Sequence, residues 1–215
     1  MTDLPARVSK QVDDFLKKYT MARLAFIVDA TGSRQPTWDA ASALQARMFQ
    51  EAGKLGSLQV QLIYFRGLGE LAECRPSPWT SNASELTRLM SRIDCRQGET
   101  QIVKALDLVK REHAREPVKA VVYIGDMCEE KPDAIAGAIS GLGVPCFVFM
   151  EGHDPNAEPI FRSMARLTNG AFECFDPSAT DKLAELLRAV AATRLVVLRR
   201  LPISALRLRD CYSHR

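Results

Sequence analysis

An α/β fold is what this sequence predicts: doubly wound, with a mostly parallel central sheet, one short antiparallel edge strand and helices on both faces. Three observations lead there. Short apolar runs, Ala25 to Val28, Ala120 to Ile124 and Pro145 to Met150, read as strands buried on both faces. They alternate with amphipathic stretches of helical length, the pattern that covers a parallel sheet. Two of the runs also stop abruptly at a hard oxygen donor, Asp29 and Asp126.

Taken in order, residues 4–20 read as an amphipathic helix with Val8, Val12, Phe15, Leu16 and Tyr19 on one face, Asp3 as cap and Pro5 in the first turn. The strand ending at Asp29 leads to a helix capped by Thr37 and running to about Lys54, with Gly56 ending it. Leu58 to Phe65 is a strand, Arg66 to Gly69 a turn, and Glu70 to Cys74 the folded-back edge strand. Ser81 to Ile93 reads as a helix, Asp94 to Thr100 as a polar loop, and Gln101 to His113 as a helix with Ile102, Ala105, Leu106 and Val109 inward. After the strand at Ala120 come a helix over Asp133 to Leu142, the strand to Met150, a helix over 157–168 and a strand at Ala171 to Phe175. A last helix begins near Ser178. The expected division is an N-terminal helix over 1–20, one domain over 21–192 and a basic tail over 193–215.

Composition narrows the function classes. Hydrophobic content of 47% and charged content of 26% over 215 residues suit one globular core. The net charge of +3 is uneven, because the stretch from Arg194 onward carries six Arg and one Asp. The body is therefore slightly acidic and has no basic patch interleaved with aromatics, which argues against nucleic-acid binding. No apolar run has the length of a membrane span, and the first residues lack the apolar stretch of a signal peptide. Six cysteines show no CxxC and no zinc-ligand spacing with the three histidines. Reduced thiols and a cytoplasmic location are the expectation.

The chemistry concentrates at strand ends. Asp29, Thr31 and Ser33 place a carboxylate and two hydroxyls at i, i+2 and i+4 where a strand becomes a loop. Thr100 sits just before a helix, and Asp126 follows AVVYIG. Hard oxygens of this kind suit Mg²⁺ or Mn²⁺. In an open α/β sheet, ligands bind beyond the carboxyl ends of the strands, where strand order reverses. If the strands of Asp29 and Asp126 are neighbours there, five oxygens converge.

DATGS, then GETQIVKAL, then VVYIGD resemble the three parts of the metal-ion-dependent adhesion site (MIDAS) of the von Willebrand factor A (VWA) domain family, over roughly residues 20–192. The resemblance implies a Rossmann-like sheet and a metal site in which Thr31, Ser33 and Thr100 touch the cation through hydroxyls. Asp29 and Asp126 would act directly or through water. It further implies an open coordination position that takes a carboxylate from a partner protein. Intracellular proteins similar to this one often work with larger assemblies, including AAA-type ATPases. Three positions depart from the pattern. Thr31 replaces the commoner Ser, Glu99 stands where Gly is frequent, and Gly125-Asp126-Met127 replaces TDG and so loses a hydroxyl beside the aspartate.

The leading reading is a non-catalytic, metal-dependent protein-interaction module, since no GxSxG, Cys/His pair or P-loop occurs. A rival is a Mg²⁺- or Mn²⁺-dependent phosphoester hydrolase, although Thr31 stands where DxDxT would place a second acid. A structural VWA domain with a degenerate site is the third. Glu129, Glu130, Glu151 and Asp154 read as solvated loop acids near the same tip, His153 as a loop histidine, His113 as a helix-end residue and Cys128 as a plain thiol. Trp79 is either an exposed contact or a lid over the sheet edge, and the Arg-rich tail is given no function.

Overall fold

The computed structural model describes residues 21–36, 38, 58–174 and 185. The helices expected over 4–20, from Thr37 and from Ser178, and the tail over 193–215, lie outside the described residues. Six strands form one sheet: β1 (Ala22–Asp29), β2 (Leu58–Arg66), β3 (Glu73–Pro76), β4 (Ala120–Gly125), β5 (Cys146–Met150) and β6 (Phe172–Cys174). Their order is β3-β2-β1-β4-β5-β6, with β3 antiparallel to β2 and every other pairing parallel. Four described helices accompany them: α1 (Ala83–Met90), α2 (Ile102–Arg115), α3 (Pro132–Ile139) and α4 (Ala157–Leu167). No described helix is long and apolar enough to cross a membrane.

The unbroken apolar runs of β1 and β4 are explained by their burial on both faces. Leu24, Phe26 and Val28 pack with Leu86 and Met90 of α1, while Ala25 and Ile27 join Ile102, Leu106 and Val109 of α2 on the other face. Strand order runs outward from β1 in both directions, so the reversal falls between β1 and β4. Their register pairs Val28 with Ile124, which sets Asp29 level with Gly125 and brings Asp126 just beyond. The condition raised from the sequence, that these two strands be neighbours, is met.

The edge strand begins three residues later than the sequence suggests. Gly67 (φ 84°) and Gly69 (φ 58°) adopt left-handed conformations, and a 3-10 turn over Gly69–Leu71 lengthens the connection before Glu73. The loop after α1 is then tied to the sheet. Arg96 donates its backbone N–H to Ala30 O at 3.0 Å, and Ala30 donates to Phe65 O at 3.0 Å. Buried Arg66 grips Glu73 of β3 and both the carbonyl and carboxylate of Asp94. Gly98 lies so close that a Cβ there would overlap the Gly67 carbonyl. These contacts hold the segment leading to Thr100 against the ends of β1 and β2.

At the opposite end of the sheet, Arg23 stacks 3.8 Å over the Trp79 ring and pairs with Glu112 at 3.0 Å, and Trp79 Nε1 donates to the same carboxylate at 2.8 Å. Trp79 therefore closes the sheet edge. Burial alone would raise the Glu112 carboxyl, but the bonds from Trp79 and Arg23 and the charges of Arg23 and Arg115 outweigh it and hold it below 4.5. A depressed carboxyl adds stability above its unfolded value that is lost as pH falls through the folded one. Glu112→Gln is expected to lower the urea midpoint at pH 7, with the difference from wild type shrinking steadily below about pH 4.5.

Candidate metal centre

β1 ends in Asp29, whose side chain is fully buried. Its Oδ1 accepts the Thr31 backbone N–H at 2.8 Å, closing a tight turn from strand into the 3-10 segment Gly32–Arg34. That turn brings Thr31 Oγ1 within 3.1 Å of Ser33 Oγ. Thr31 is buried and Ser33 is exposed, so the hydroxyl pair runs from the interior to the surface. Asp126, half-buried at the end of β4, carries a negative charge that bears on Asp29, and the Ser33 hydroxyl helps keep it ionised.

Both carboxyls are shifted upward. Asp29 rises to about 7, chiefly through burial and with the Asp126 charge adding, while the Thr31 bonds and the Arg34 charge pull it down. Asp126 is raised by burial and by Glu151, against the Ser33 hydrogen bond and Arg34. Asp29 Oδ2 and Asp126 Oδ1 are buried with no hydrogen-bond partner. Two unpaired carboxylate oxygens and a pair of neutral hydroxyls at one strand switch form a donor set that fits a hard divalent cation. Among the described residues no group of three or more His, Cys, Asp or Glu could hold a metal.

Thr100 is engaged differently from the other four. Its backbone N–H donates to Glu129 Oε2 at 2.9 Å, its hydroxyl accepts from the Glu129 N–H at 3.1 Å, and it lies against the Glu130 carboxylate. Glu129 and Ser33 line the same open hollow, together with Gly32, Leu68, Gln97, Gly98, Glu99 and Met127. Thr100 is therefore joined to this hollow through Glu129 and itself lines the adjacent one, which shares Leu68 and Glu99.

The acids read from sequence as solvated are mostly structural. Glu130 caps α2, accepting the N–H groups of Ile102 at 2.7 Å and Val103 at 2.9 Å. Asp154 caps α4 through Asn156 and Ala157, a role its position just ahead of a helix could have signalled. Glu151, at the end of β5, pairs at 2.7 Å with Arg34, whose side chain is wholly buried and also donates to the Asp29 carbonyl. Sequence reasoning misses Arg34, although it follows DATGS directly. His153 is exposed, and His113 receives the Val118 N–H at the end of α2. The Cys128 thiol is pushed up to about 11 by burial, so it stays protonated, and the five described cysteines are free.

Comparison with solved structures shows what the fold is similar to. A von Willebrand factor type A protein from Catenulispora acidiphila superposes with a TM-score of 0.59 at 18% identity, over 82% of this chain and 43% of that one. The SpRpn10 VWA domain gives 0.59 at 10% identity, over 77% of this chain and 95% of that one. The pilus adhesin SpaC from Lactobacillus rhamnosus GG gives 0.58 at 14% identity, over 82% and 30%. The chain thus spans less than half of the Catenulispora protein and nearly all of an isolated VWA domain. The shared fold is that of a VWA domain. No family model matches the sequence, and no curated protein does.

The Arg34–Glu151 pair ties the turn after β1 to the end of β5. Glu151→Ala is expected to destabilise the protein by about 3 kcal/mol, the lower end for breaking a buried pair because Arg34 keeps its bond to the Asp29 carbonyl. Chemical denaturation of the two proteins at pH 7 measures it.

Proposed function

We propose that this domain is a non-catalytic protein-interaction module that works through a divalent cation. Asp29, Thr31, Ser33, Thr100 and Asp126 would hold Mg²⁺ or Mn²⁺, and the cation would take a carboxylate offered by a partner protein. The observation that carries this reading is the pair of buried, unpartnered carboxylate oxygens, Asp29 Oδ2 and Asp126 Oδ1, at the switch between β1 and β4. A cation satisfies both at once. Hydroxyl ligands leave it with surplus positive charge, which an external carboxylate can neutralise.

The surroundings support a protein ligand. Leu68 (58% exposed), Leu71 (77%) and Met127 (36%) stand out in the loops at this end of the sheet, and Leu68 and Met127 line the hollow beside Ser33. Exposed apolar side chains around a polar centre are a usual feature of protein contact surfaces. One of the structural neighbours is named as a pilus adhesin. The hydrolase reading draws no support from the thiols of Cys95 and Cys128 beside the site, because burial pushes both up to about 11 and a protonated thiol is a poor nucleophile.

Thermal unfolding with Mg²⁺ or Mn²⁺ and with chelator tests the proposal. At about 100 times its dissociation constant the cation should add about 2.7 kcal/mol, or roughly 5–10 °C in Tm. The shift should vanish in the Thr100→Ala, Asp126→Ala double variant. Equal melting of wild type with and without cation would remove the metal from the account.

A further inference from the structure

The departure at Gly125 has a structural counterpart. Tyr123, two residues earlier on the same face of β4, runs its side chain along the strand toward the carboxyl end. A Cβ built on Gly125 would overlap the Tyr123 hydroxyl and come within 2.7 Å of its Cζ. The phenol therefore occupies the space that a residue 125 side chain would fill. The ring is fully buried and packs against Phe161, with centroids 5.2 Å apart, so it cannot swing aside cheaply.

Tyr123 Oη is buried without a hydrogen-bond partner, as are Asp29 Oδ2 and Asp126 Oδ1. Ile27 and Tyr123 are paired across β1 and β4, so one step further along that face Asp29 and Gly125 stand side by side. The tip of the phenol thus lies beside the Asp29 carboxyl. Burial first, then the Asp29 charge, push the phenol well above its usual range, which keeps its proton in place as a donor. A buried hydroxyl without a partner is costly and uncommon in a folded protein.

We propose that Tyr123 is a positioning residue of the metal centre: with a cation in place, its hydroxyl donates to the Asp29 carboxylate, supplying from position 123 the hydroxyl that Gly125 lacks. This rests on the metal-dependent reading above. The phenol hydroxyl and the carboxylate oxygens Asp29 Oδ2 and Asp126 Oδ1 are each buried without a hydrogen-bond partner. A cation would hold the Asp29 carboxylate in place, and the oxygen it leaves free could accept from the phenol. Glycine at 125 is then required, because it makes room for the tyrosine.

The test compares wild type, the single variant Tyr123→Phe and the double variant Tyr123→Val, Gly125→Thr, each titrated with Mg²⁺ or Mn²⁺ by calorimetry and melted in chelator. Tyr123→Phe removes one oxygen and keeps the ring. Its cation affinity should fall on the order of 10- to 100-fold, as for loss of a group that orients a metal ligand. Its Tm in chelator should be unchanged or higher, because an unsatisfied buried hydroxyl is gone. A purely structural phenol would give the reverse, a lower Tm in chelator with unchanged affinity, and would overturn the proposal. The double variant should recover most of the lost affinity, because it restores a hydroxyl from position 125. Cation addition should also perturb the tyrosine absorbance of wild type and not that of Tyr123→Phe. If wild type itself binds no cation, the metal-dependent reading falls and this one with it. If wild type binds and Tyr123→Phe binds equally well, only this one falls.

Discussion

The structure turns on the pairing of β1 with β4. Two strands buried on both faces run side by side and parallel, and each leads into an aspartate at its carboxyl end. That places two carboxyls at the rim of a low-dielectric core, where ionisation is disfavoured and their charges act on each other. Asp29 pushed up to about 7 is the signature of that constraint. The neighbouring groups, two hydroxyls, one buried guanidinium and one buried phenol, can be understood as responses to it.

The loops are arranged so that this crowded tip stays ordered. Buried Arg66 gathers Glu73 and Asp94, Gln101 donates to the carbonyls of Arg66 and Glu73, and Glu130 caps α2 immediately behind Thr100. Each contact joins segments apart in sequence, and together they tie the end of β2, the loop before α2 and the loop after β4. Glu129, which accepts the Thr100 backbone N–H, also borders the hollow beside Ser33. Its carboxylate holds Thr100 while its loop lines the opening.

Much of this is legible in the sequence, for identifiable reasons. Apolar runs such as AVVYI fit strands with both faces covered, and the β1–β4 neighbour relation follows from placing oxygen donors at a strand switch. What escapes a sequence reading is long-range pairing. Glu151 lies 117 residues from Arg34, and nothing local marks either as buried. Glu130 reads as a surface acid because its capping partner Ile102 lies 28 residues upstream. The start of β3 falls later than expected because two glycines with positive φ lengthen the turn before it. Tyr123 and Gly125 are an exception, since their i, i+2 spacing on a predicted strand already places a large side chain beside a missing one.

Charge decides how such a site behaves. Asp29, Asp126 and Glu151 place three acidic groups around it, and Arg34 returns one positive charge from a fully buried position. The guanidinium works against the burial that raises both carboxyls but does not overcome it. The same positive charge repels the cation once it arrives. These effects oppose each other. On the proposed function, a cation would displace protons from these raised carboxyls, so its binding would tighten as pH rises, and repulsion from Arg34 would limit how tight it becomes. On that reading, a site balanced in this way would suit reversible occupancy, with a partner's carboxylate completing the neutralisation and cation and partner strengthening each other's binding.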